Sequence, residues 1–147
     1  MITNISEAHL TGFKNFEDLI NTKMDIYRSL SQNNGTYFLN KDDQNIRINN
    51  NSDNDIISFS CKDLDSDYYA DISKIDRGIV SINNFLFNVP YKTEAFARNF
   101  LASYSIASSI GIKTSHVQEV LNNFILPDGR GNIIQFEKIK IINDTYN

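Results

Sequence analysis

Cysteine is nearly absent from this chain. The single Cys61 excludes an internal disulfide and a multi-cysteine zinc site, and it fits a reducing compartment such as the cytoplasm. Glycine is scarce as well, with six residues at positions 12, 35, 78, 111, 129 and 131. None falls in the pattern G-x-x-x-x-G-K-S/T, so these 147 residues hold no glycine-rich phosphate loop of that kind. No apolar run approaches the roughly 18 residues that a membrane span requires. The first residues carry neither a basic stretch nor a long apolar one, so nothing there reads as a secretory signal. Positive charge is in deficit too. Fourteen Lys and Arg against 18 Asp and Glu give a net charge of −4, which argues against a nucleic-acid partner or insertion into a membrane.

What is present suits one ordinary core. The length is sufficient, and a hydrophobic fraction of 41% is only slightly low for a globular chain. Asparagine is frequent, as in Asn33-Asn34 and Asn49-Asn50-Asn51, and reads as loop composition. Ile2-Thr3-Asn4-Ile5 has the look of the end of a buried strand. Phe16, Leu19, Ile20, Ile26, Tyr27 and Leu30 follow the three-four spacing of an amphipathic helix, which Asn33-Asn34-Gly35 terminates. Thr36-Tyr37-Phe38-Leu39-Asn40 and Ile56-Ile57-Ser58-Phe59-Ser60-Cys61 read as strands, separated by a polar, turn-rich stretch. Residues 68–89 alternate around Asp76-Arg77-Gly78 and Asn83-Asn84, which predicts three short strands and two turns. Thr93 is a candidate N-cap for a long helix over 95–110, stopped by Gly111; Thr114 or Ser115 is expected to cap another over 116–124. Pro127-Asp128-Gly129-Arg130-Gly131 packs turn residues into a linker, and residues 133–142 read as one last strand. The order of elements is that of an α/β fold with a small antiparallel sheet.

Several segments carry a family likeness. Thr3-Asn4-Ile5-Ser6-Glu7-Ala8-His9-Leu10, Thr22-Lys23-Met24-Asp25-Ile26-Tyr27, Asn40-Lys41-Asp42-Asp43, Ala95-Phe96-Ala97-Arg98-Asn99, Gly129-Arg130-Gly131 and Asn143-Asp144-Thr145-Tyr146-Asn147 resemble, in order and spacing, signature segments of the Mur ligases. These are ATP-dependent amide-forming enzymes of peptidoglycan synthesis. The nearest branch adds D-alanyl-D-alanine to UDP-MurNAc-tripeptide. The resemblance implies a three-layer α/β central domain whose phosphate-loop half precedes Met1. Residues 1–126 are then expected to be the C-terminal half of the central ATP-binding domain, 127–132 the hinge, and 133–147 the first strand of the C-terminal domain.

The same resemblance implies the site residues. His9 falls in the loop after a strand, where the family places a His beside magnesium and the reacting carboxylate. Lys23 matches a lysine that CO2 carbamylates into a magnesium ligand. Only a neutral amine attacks CO2, so such a lysine is expected to be buried. Asn99 matches an adenine-reading Asn, although Ala95 and Phe96 stand where the family has His and Asn. Arg130 is expected on the phosphates of ATP and Asp144 on its ribose, with Asn143 and Thr145 departing from the usual Asp-Asp-Ser-Tyr-Asn. Asn40-Lys41-Asp42-Asp43 reads as a strand-end turn. ATP and Mg2+ are the implied cofactors. The alternatives are another Mur or folylpolyglutamate-type ligase, which would carry different residues at 143–147, or an inactive fragment that acts at most as a binding module.

Overall fold

The computed structural model describes residues 1–7, 10–46, 55–143 and 145. Helix α1 spans Phe16–Gln32. It starts where the Asn15 side chain accepts a hydrogen bond from the Asp18 amide at 2.9 Å, and Glu17 and Asp18 sit in the first turn, where negative charge suits the helix dipole. It ends at Asn33, after which Asn34 takes the left-handed conformation (φ +50°) and the Gly35 amide returns to the Leu30 carbonyl at 2.9 Å. A Cβ at position 35 would lie 2.5 Å from Leu30 Cδ2, so a larger residue there would have to displace that side chain. The buried stripe is Leu19, Ile20, Met24 and Tyr27. Ile26, expected inside, is 46% exposed, and Met24 takes its place in the core.

Five strands form one sheet in the order β1 (Tyr37–Asn40), β2 (Ile56–Ser60), β3 (Tyr68–Asp71), β4 (Ile79–Ile82) and β5 (Phe85–Asn88). The pairs β1–β2 and β2–β3 are parallel; β3–β4 and β4–β5 are antiparallel. The expected small antiparallel unit is therefore the far side of the same sheet. Its tight turn uses Asn83 (φ +46°) and Asn84 (φ +71°), the left-handed pair that a two-residue hairpin demands. Helices α2 (Glu94–Ser109) and α3 (Thr114–Asn122) follow. Thr93 caps α2 by accepting from the Phe96 amide. Lys113, not Thr114 or Ser115, precedes α3, and no side chain caps it there; Thr114 is already helical and its hydroxyl lies 3.5 Å from that of Tyr104.

Strand alternation sends neighbouring side chains to opposite faces. Tyr37 and Leu39 pack toward α1 with Ile5, Ile20 and Tyr27. Phe38 packs the other way, toward the cluster of Phe59, Val80, Ile82, Phe87, Phe100, Leu101 and Leu121 beneath α2 and α3. The Phe87 ring meets Phe100 and Tyr104 edge-on, each at 5.1 Å between centroids. The result is three layers, α1 on one face of the sheet and α2 with α3 on the other.

Two expectations change. The opening segment is not a full strand: Ile2 makes a single parallel bridge to Leu39. The one strand expected over 133–142 is a hairpin, β6 (Asn132–Phe136) paired antiparallel with β7 (Ile139–Asn143). Glu137 makes its turn in the left-handed conformation (φ +51°).

Side chains fasten the opening segment to the body. Tyr27 Oη donates to the Phe38 carbonyl at 2.7 Å and accepts from the Ile2 amide at 3.1 Å. Burial pushes its phenol above the ordinary tyrosine range. Asn40 Nδ2 donates to the Thr3 carbonyl at 2.7 Å, and Asp43 Oδ2 accepts from the Ile5 amide at 2.6 Å. Tyr27→Phe keeps the ring and removes both hydroxyl bonds. It is expected to cost about 1–2 kcal/mol in urea unfolding and to speed amide exchange at Ile2; unchanged stability would show that the hydroxyl does not fasten the segment.

Candidate functional site

The carboxyl ends of β1 and β2 open into a cleft of about 250 Å³. Ligand sites of open α/β sheets gather at this end of the strands. Thr3 and Asn4 form one wall, Asn40 and Asp42 come from the end of β1, Cys61 follows β2, and Arg98 and Asn99 descend from the first turns of α2. Each arrives for a local reason. Asn40 Oδ1 accepts from the Asp42 amide at 2.9 Å and turns the chain at the strand end. Thr93 sets the start of α2, so residues one turn in face the strand ends.

Asp42 is the centre of the wall. Its side chain is only 10% exposed. Oδ2 accepts from the Cys61 amide and from Arg98 Nη1, both at 2.9 Å, and Oδ1 accepts from the Ser60 hydroxyl. Arg98 Nη2 also reaches Glu94 at 3.3 Å. The carboxylate therefore ties β2 and α2 to the turn after β1. Such a pair is costly to break from one side, since the partner charge is left unmatched. Neither Asp42 nor Arg98 was singled out as a site residue from the sequence. The Asn40-Lys41-Asp42-Asp43 turn was legible, but a contact across 56 residues has no periodic signature.

The five expected site residues are distributed unevenly. Asn99 lines the cleft with its side chain exposed. Lys23 and Arg130 are both exposed and do not line it. The expected burial of Lys23 is thus not met. Lys23 nevertheless lies one helical turn from Leu19 and from Tyr27, on the apolar side of α1 rather than on its polar face. Arg130 sits in a turn, its amide donating to the Pro127 carbonyl at 3.2 Å. His9 and Asp144 lie outside the described residues.

The chain as a whole has known relatives. The Mur ligase middle domain matches residues 1–107, most of the chain. The chain belongs to the Mur ligase family. It is 32% identical, over its whole length, to the UDP-N-acetylmuramoyl-tripeptide--D-alanyl-D-alanine ligase of Buchnera aphidicola and covers 34% of that protein. It is 28% identical to the UDP-N-acetylmuramoylalanine--D-glutamate ligase of Macrococcus caseolyticus, of which it covers 32%. The crystal structure of MurF from Acinetobacter baumannii superposes on 99% of the chain with a TM-score of 0.78, at 22% identity, and the match spans 33% of that structure. The chain thus spans about a third of the length of the relatives it matches. The α/β fold expected from the sequence is the fold observed.

Cys61 reports on the cleft wall. Burial pushes its thiol up to about 11; Arg98 pulls in the opposite direction and Asp42 adds to the rise. A thiol whose folded value exceeds its unfolded value of 9.0 holds its proton longer in the native state. Its contribution to stability is complete below pH 9 and is lost as pH climbs through about 11. Alkylation at pH 8 should run at least tenfold slower than for a small free thiol, because the thiolate is the nucleophile. Asp42→Asn should speed the reaction; equal rates before and after would dissociate Cys61 from the wall.

Proposed function

We propose that this chain supplies the carboxyl-terminal half of the ATP-binding domain, the hinge and the opening of the C-terminal domain of a ligase that joins D-alanyl-D-alanine to UDP-MurNAc-tripeptide. The observation that carries the reading is the cleft at the strand ends, where the Thr3-Asn4 segment and Asn99 meet. The two D-alanyl-D-alanine ligase features, the Asn143-Asp144-Thr145-Tyr146-Asn147 run and the Buchnera relative, favour this branch over the D-glutamate-adding one. The proposed domain limits are 1–126, 127–132 and 133–147.

The residues fit a nucleotide at its base end. Asn99 offers an amide donor and acceptor for a purine edge, and Asn4 and Asn40 add polar groups to the same cleft. ATP would supply the phosphoryl group that activates the tripeptide carboxylate; the dipeptide amine then displaces phosphate from the acyl phosphate. Arg130 would reach phosphate oxygens from the hinge, and Asp144 would take the ribose hydroxyls. Magnesium is a different matter. Among the described residues no group of three or more His, Cys, Asp or Glu side chains is placed to hold a metal. His9 and a carbamylated Lys23 remain the proposed ligands, and no step is assigned through the ion. The setting proposed is the bacterial cytoplasm, with peptidoglycan precursors as substrates.

Two experiments test this reading. In the intact ligase, Lys23→Ala should abolish amide formation, and added short carboxylates should restore part of it by standing in for the carbamate; full activity without additive refutes the assignment. The 147-residue chain alone, lacking the G-x-x-x-x-G-K-S/T loop, should release no ADP with both substrates and magnesium present. Turnover in the ~1–100 s⁻¹ range usual for phosphoryl-transfer enzymes would overturn that expectation.

A further inference from the structure

Arg98 lines the strand-end cleft beside Asn99, one position earlier on α2. Its guanidinium is pinned at both terminal nitrogens. Nη1 donates to Asp42 Oδ2 at 2.9 Å and Nη2 to Glu94 Oε2 at 3.3 Å. Asp42 is itself held by the Ser60 hydroxyl and the Cys61 amide, which fixes one end of the plane. One cation between two carboxylates leaves the group a net −1. Such a group does not attract a phosphate, and its fork is already engaged by carboxylates. What it keeps for a ligand is the flat face of the guanidinium. The side chain is still 38% exposed with both pairs formed.

We propose that Arg98 is a base-stacking residue of this cleft: its guanidinium face packs on the ring of a neutral aromatic base whose edge meets Asn99. The inference rests on the nucleotide reading of the cleft and adds a second contact to it. Consecutive helical residues diverge by about 100°, so Arg98 and Asn99 approach a ligand from different sides. One offers a face and the other an amide edge. The rest of the lining suits a ring. Phe59, Leu101 and Ala102 are apolar, and Ala95, one turn before Asn99, leaves room beside it. The cleft's volume of about 250 Å³ is small. Sites for whole drug-sized ligands run to roughly 300–1,000 Å³, so this one suits a single base with sugar and phosphates outside. Ion pairing at the edge of the guanidinium does not oppose stacking, because the attraction to a ring acts through the face.

Titrating the 147-residue chain with adenosine, and separately with ribose 5-phosphate, tests the proposal by NMR at the Arg98 Hδ and Hε protons. Adenosine should move these protons upfield through the ring current of a stacked base, and ribose 5-phosphate should leave them in place. This readout needs no variant. Arg98→Lys keeps the charge and a partner for Asp42 but removes the plane. With circular dichroism confirming the fold, it should bind adenosine at least fivefold more weakly. Glu94→Gln removes one of the two carboxylates and should let ribose 5-phosphate reach Arg98, an effect that a purely structural role would not produce. Saturable shifts at Asn99 with Arg98 unmoved, or Arg98→Lys binding as tightly as wild type, would overturn the stacking and leave the base site standing. An Arg98 that answers ribose 5-phosphate but not adenosine in the wild type overturns it in favour of a phosphate contact. No saturable response anywhere in the cleft removes the base site itself, and the stacking with it.

Discussion

The buried carboxylate of Asp42 is the interaction on which the candidate site depends. Three donors from two places in the chain converge on it: the Ser60 hydroxyl and the Cys61 amide at the end of β2, and the Arg98 guanidinium of α2. Parallel strands end in unpaired backbone groups, and a cleft at those ends persists only if something satisfies them. Asp42 does this for β2 and, through Arg98, fixes the first turns of α2 above it. Asn99 is held over the cleft as a consequence. Asp43, the next residue, performs the parallel task for the opening segment by accepting from the Ile5 amide. Two adjacent carboxylates thus place both walls.

Much of the fold was legible because its signals are local. The three-four spacing from Phe16 onward marked α1, Thr93 marked the start of α2, and Asn83-Asn84 marked the hairpin between β4 and β5. Failures occurred where no residue type announces the geometry. The β6–β7 turn passes through Glu137 and Lys138, neither of which favours left-handed backbone, so an alternating pattern read as one strand is two. Ile26 follows the apolar spacing of α1 yet is 46% exposed, and Met24 is buried instead. Thr114 looked like a cap and is a helical residue turned toward Tyr104.

The candidate site was legible only through family resemblance. A loop His, a helix Lys and an Asn at the start of a helix carry no chemistry in isolation. Their order pointed to the strand-end cleft, and of the five residues expected there Asn99 is found lining it. What sequence reasoning missed, Asp42 with Arg98, is the long-range pair that shapes the wall. Lys23 illustrates the opposite case. It lies on the apolar side of α1 and is exposed, an arrangement that local periodicity does not anticipate.

The central claim is that the strand-end cleft receives the base of a nucleotide beside Asn99. An amide-correlation NMR titration of the 147-residue chain with adenosine, up to about 10 mM to cover weak binding, tests it without requiring phosphate contacts. The account expects saturable shifts centred on Asn99, Asn4 and Asn40, reduced at least fivefold in affinity by Asn99→Ala. Shifts confined to another face, or an undiminished response in Asn99→Ala, would contradict it.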